Sequence, residues 1–141
     1  MLRRTWLVVA GVALWSLVAG GTAAGAGEAR ALGAEVRLSN NASSQVGPAV
    51  AWNETANRYL VVWEDWRNEG TTGTDIYGRQ FGAGGGALGA EFRITGGVSD
   101  SRERMPAVVW NQTANEYLVV WEDWRDSSGP GSGADIYGRR I

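Results

Sequence analysis

The groups in this 141-residue chain best suited to chemistry are two adjacent carboxylate pairs, Glu64-Asp65 and Glu122-Asp123, each followed by Trp-Arg. Asp75 follows the first pair and Asp135 the second. Oxygen-only side chains of this kind suit Ca2+, and two carboxylates flanking a sugar suit glycoside hydrolysis. The simpler use is structural: Asp65 and Asp75 end strands and pair with Arg67 or Arg79. Because the carboxylates occur in both copies, while an active site needs one set, the structural use is favoured, and no catalytic residue and no cofactor are expected. The chain has no Cys and no His, and all 13 basic residues are Arg. Thiolate ligands, Cys nucleophiles, imidazole bases, Schiff bases and the lysine-dependent phosphate loop are therefore excluded. A net charge of −2 points to neither nucleic acid nor an anionic membrane surface.

The carboxylates lie at the end of one nine-residue stretch, Tyr59-Leu-Val-Val-Trp-Glu-Asp-Trp-Arg67, which returns unchanged at 117–125. Its β-branched and aromatic residues suit a pleated surface. Alternation puts Tyr59, Val61, Trp63 and Asp65 on one face and Leu60, Val62, Glu64 and Trp66 on the other. Both faces are apolar through the middle, which predicts a central strand covered on both sides. The run is too short for a buried helix, and turn-formers flank it. Six of the eight Trp lie in the longer repeats that contain this stretch, where a core role is expected.

From residue 31 the chain reads twice, about 31–86 and 87–141. Segment 31–35 recurs at 87–91, 48–67 at 106–125 and 75–79 at 135–139, with offsets of 56, 58 and 60. The drift places length changes in two connections per repeat, and a period of about 50 residues or more marks a repeat architecture. Each repeat resolves into four strands: 49–52 opened by Pro48, 59–66, 75–81 and 90–95, with turns at 53–57 and 82–86. The second repeat supplies 107–110, 117–124 and 135–141 and then stops. A copy of the missing fourth strand sits at 34–39, ahead of the first repeat.

The fold expected is all-β: two four-stranded antiparallel propeller-type blades, with 34–39 as a permuted closing strand on the sheet that holds 135–141. A two-sheet β-sandwich is the alternative. The paired V-V-W-E-D-x-R and D-I-Y-G-R elements resemble repeats of exported bacterial β-propeller-like proteins, over residues 31–141. That resemblance implies the fold and no particular activity. Two blades do not close a ring, and their aromatics leave apolar faces larger than a monomer ordinarily exposes. Self-association, or packing on other propeller blades, is expected; three chains make six blades and four make eight. The sequence also admits a fragment of a longer propeller protein.

Residues 1–26 read as a signal peptide: Arg3-Arg4, an apolar run over 6–19, and Ala24-Gly25-Ala26 before the cut. The apolar run falls short of the roughly 20 residues a membrane span needs. A secreted, periplasmic or extracellular protein of residues 27–141 is expected, with no membrane span after cleavage. Beyond residue 26 lie all 15 acidic residues and 11 Arg, a net charge near −4. Asn41, Asn53 and Asn111 begin glycosylation triplets, though turn chemistry explains the last two without sugar.

In a four-stranded blade the variable-length connections share one rim, and variable loops on a fixed scaffold are where specificity is placed. That rim collects Asp65, Trp66, Arg67, Asp75, Arg102, Arg104, Asp123, Trp124, Arg125 and Asp135 as candidate ligand-binding residues. Aromatics beside carboxylates and guanidiniums suit a polar ligand such as a glycan. The function expected is an exported, non-catalytic binding or scaffold module, with a glycoside hydrolase-like propeller enzyme as the alternative.

Overall fold

The computed structural model describes residues 33–96, 101–126 and 133–141. The expected signal over 1–26 lies outside them. The chain divides after Glu35, and every strand lies in the unit Val36–Ile141. Seven strands form: β1 (Gln45–Asn53), β2 (Arg58–Asp65), β3 (Asp75–Gly82), β4 (Ala87–Arg93), β5 (Glu103–Asn111), β6 (Glu116–Asp123) and β7 (Asp135–Arg140). They make two antiparallel sheets, β1-β2-β3-β4 (sheet 1) and β5-β6-β7 (sheet 2). The described residues contain no helix and no closed barrel.

Identical sequence produces identical pairing. Ala49 faces Val62 and Ala51 faces Leu60 in sheet 1; Ala107 faces Val120 and Val109 faces Leu118 in sheet 2. Both ladders slip at one place, between Val46 and Ala49 and between Arg104 and Ala107. This corrects the expected first strand. Rather than opening it, Pro48 sits inside β1 at a bulge, where its missing N–H breaks no ladder bond. The bulge needs a left-handed residue, supplied by Gly47 (φ 58°) in one copy and Met105 (φ 52°) in the other. For Met this conformation is unfavourable, and its N–H is held by Glu64 Oε1 at 2.9 Å.

The fourth strand also shifts, to Ala87–Arg93, and Ile94 extends its pairing by donating N–H to Ile76 O at 2.8 Å. The larger correction concerns the closing strand. Residues 34–39 form no strand, and β7 has one paired edge. Instead Leu38 and Ser39 line a shallow cavity with Val61 and Trp63. That side of sheet 1 faces away from sheet 2, so the segment does not reach the β7 of its own chain.

The core is the junction of the sheets. Leu60, Val62, Ile76 and Ile94 from one face of sheet 1 cluster with Tyr117, Val119 and Trp121 from sheet 2. By alternation these belong to opposite faces of the repeated strand, so the front of one copy packs on the back of the other. Within sheet 1, Gly78 leaves room for the Ile94 side chain of this cluster, since a Cβ there would lie 3.0 Å from Ile94 Cδ1. Hydrogen bonds fasten both ends of the junction. Asn53 Nδ2 donates to Asn115 Oδ1 at 3.1 Å, and Glu103 N donates to Thr74 O at 2.9 Å. As expected, β2 is covered on both faces; β6 is not, because Leu118 is 41% exposed.

Candidate functional site

Asp65 ends β2 with its side chain fully buried. Trp63, two residues back on the same face, donates Nε1–H to Asp65 Oδ2 at 3.0 Å. Arg67 folds back and donates its backbone N–H (2.9 Å) and Nε (2.8 Å) to Oδ1, and Nη2 (2.7 Å) to Oδ2. Its guanidinium lies 4.0 Å over the Tyr77 ring and also reaches Glu91 Oε2 at 2.6 Å. The spacing W-x-D-x-R thus makes a closed clamp. Burial by itself would raise the Asp65 pKa, but the bonds from Arg67 and Trp63 outweigh it and hold it below the usual range. The bond from Asp65 raises the pKa of Arg67 in turn.

The second copy repeats the clamp. Trp121 Nε1 donates to Asp123 Oδ2 at 3.2 Å, Arg125 pairs with the same carboxylate, and its guanidinium lies 4.0 Å over Tyr137. Asp123 is likewise held low against the effect of burial by Arg125 and Trp121.

The remaining candidates divide by copy. Asp75 is buried and pairs with Arg93, while Asn68 Nδ2 donates to its Oδ2 at 2.7 Å. Asp135, its counterpart, is exposed, and its side chain makes no hydrogen bond or ion pair with the described residues. Trp66 is half-buried and Trp124 is 38% exposed. Arg102 is exposed and accepts from Trp124 N through its backbone oxygen at 3.1 Å; Arg104 is half-buried opposite Glu122 on β6. The structure therefore joins Asp65 to Arg67 and Asp123 to Arg125, and puts Arg102 beside Trp124. Among the described residues no group of three or more acidic side chains is arranged to hold a metal ion.

No family model, curated protein or solved structure matches this chain.

Several residues central to this region were not singled out by sequence. Glu91 and Arg93 alternate with Phe92 and Ile94 along the fourth strand, and their recurrence as Glu35 and Arg37 is the signal available in the sequence. Glu103 had none, because Gln45 holds the equivalent place. It is fully buried at the junction, with Ser101 Oγ donating to its Oε1 at 2.6 Å. Burial, reinforced by Asp75 and Asp123, pushes its pKa up to about 7. A carboxyl so raised has the acidity of a general acid, but full burial denies it a substrate.

Proposed function

We propose that this chain is an exported, non-catalytic binding or scaffold module, whose sheets act as propeller-type blades and associate with further blades through their faces. The observation that carries the reading is the bare apolar face of sheet 2. Val109, Leu118 and Ile136 stand 58%, 41% and 70% exposed on one face of a short three-stranded sheet. Contiguous apolar surface of this kind marks an interaction site. The clamped state of Asp65 and Asp123 supports a non-catalytic role, since their oxygens already accept from Trp and Arg. A polar ligand such as a glycan is assigned to the rim where Trp124 is exposed beside Arg102.

The test is the mass of the exported protein by light scattering, together with glycan-array binding. An associated species that binds without releasing sugar is expected, with Trp124→Ala removing the binding and leaving the fold intact. Sugar release would favour the hydrolase, and a stable monomer that binds nothing would end the proposal. N-terminal sequencing is expected to begin near Gly27, and an intact Met1 in a membrane fraction would refute export.

A further inference from the structure

We infer that a second copy of this chain docks head to tail, laying the outer side of its sheet 1 on the bare face of sheet 2, and that its residues 34–39 enter as the fourth strand beside β7. The inference rests on the reading of the sheets as associating blades, and it names the partner and both surfaces.

The chain already contains this interface once. Within it, the face of sheet 1 bearing Leu60 and Ile76 is covered by the face of sheet 2 bearing Tyr117 and Trp121. The bare face of sheet 2 bears Leu118 and Ile136, the repeat counterparts of Leu60 and Ile76, on matching ladders. The outer side of sheet 1 bears Tyr59 and Trp63, the counterparts of Tyr117 and Trp121. Each of these two faces is thus one half of a pair whose packing is realised in the same molecule; on the outer side of sheet 1 Trp63 is already buried, and Val50 and Tyr59 are exposed. The two halves differ, so a self-complementary contact is not the one prefigured. The contact is heterologous, of the kind that generates rings or filaments.

The segment ahead of β1 points the same way. Val36-Arg-Leu-Ser39 is the counterpart of Phe92-Arg-Ile-Thr95, which borders β3 in sheet 1. Ile94 packs in the cluster with Val119 and Trp121, and Leu38 lines one cavity with Val61 and Trp63, their counterparts. The segment is therefore held where the fourth strand of an incoming sheet 2 belongs. Its own β7 is on the far side of the molecule, and another copy's β7 offers the matching edge, joined by strand addition.

Charges complete the match. Asp75 is neutralised by Arg93, whereas Asp135 has no cation among the described residues, and Arg37 occupies the place of Arg93. Arg67 has Glu91 as a second ion-pair partner; among the described residues Arg125 forms an ion pair with Asp123 alone, and Glu35 is the sequence counterpart of Glu91.

The test uses two double variants of the exported protein, Leu118→Glu/Ile136→Glu on sheet 2 and Val50→Glu/Tyr59→Glu on the outer side of sheet 1. All four residues are at least 36% exposed in the single chain, and circular dichroism is expected to show parental folding. By light scattering the parent associates, each variant alone is monomeric, and an equimolar mixture forms a one-to-one dimer. If either variant alone associates as the parent does, the contact is not head to tail; that outcome overturns the inference and leaves the blade reading standing. A monomeric parent overturns both. For the strand, Asp135→Arg is expected to block assembly and the addition of Arg37→Asp in the same chain to restore it. Restoration is a gain that misfolding does not mimic, and its absence overturns the strand insertion.

Discussion

Sheet 1 and sheet 2 carry the same strand, residue for residue over nine positions, and bury it differently. Leu60 and Ile76 are fully buried; Leu118 and Ile136, in the same register, lie open. Asp75 is enclosed by Arg93, Asn68 and Thr72, while Asp135 is exposed. The clamps, by contrast, are alike in both copies, because the Trp, Asp and Arg that form them lie within five residues of sequence. Local chemistry repeats with the sequence, and burial follows a strand's position in the stack.

The sharpest break in this comparison is expected at the paired isoleucines. Ile76→Ala empties a core site and should cost about 2–5 kcal/mol, whereas Ile136→Ala in dilute monomer should stay within about 0.5 kcal/mol. Urea unfolding of both variants measures the difference, and equal losses would mean that sheet 2 is covered in the single chain. A second contrast lies in the connections. A Cβ on Gly73 (φ 83°) would sit 1.8 Å from Ser101 O, while nothing described lies within 4 Å of Gly133, its counterpart. Gly73→Ala is expected to destabilise by about 3 kcal/mol, in the range of severe steric and backbone lesions. Gly133→Ala is expected to leave the melting temperature of the monomer in place.

Glu103 sharpens the comparison through pH, because Gln45 holds its place in the other copy. Its folded pKa of about 7 lies above its ordinary value of 4.5. The folded state therefore retains a proton that the unfolded chain releases, so this group makes stability fall as pH rises between those values. Glu103→Gln is expected to flatten that slope and add about 3 kcal/mol at pH 8; an unchanged slope from thermal melts across pH 4–8 would contradict the assignment. Asp65 and Asp123 act in the opposite sense. Their depressed pKa values give stability that is present above the ordinary carboxylate pKa and lost in acid. A small effect is also expected at Trp124→Ala, whose exposed ring contributes less than about 1 kcal/mol; a larger loss in the same urea assay would place that ring in the core.

What the residues determined by themselves was the local order. Alternation of Tyr59 to Asp65 announced a strand apolar on both faces, the offset of 58 held throughout 48–67 and 106–125 announced two hairpin ladders in one register, and Asn53 and Asn111 announced the hairpin turns. The pairing of Asp65 with Arg67 was equally legible, because both groups lie on one short segment. The sequence did not show which faces are covered, since two identical strands carry no information about which stands inside. Nor did it show that Pro48 lies within a bulge, a matter of one N–H that β2 never needs. The place of Glu103 among Thr74, Asp75 and Asp123 was decided only when the sheets packed, because its partners come from segments about 20–30 residues away. The segment 34–39 was legible as a fourth strand by its likeness to 90–95, but its position was not. A strand's identity is written in its alternation, whereas the edge it joins depends on which face of the stack its chain leaves from.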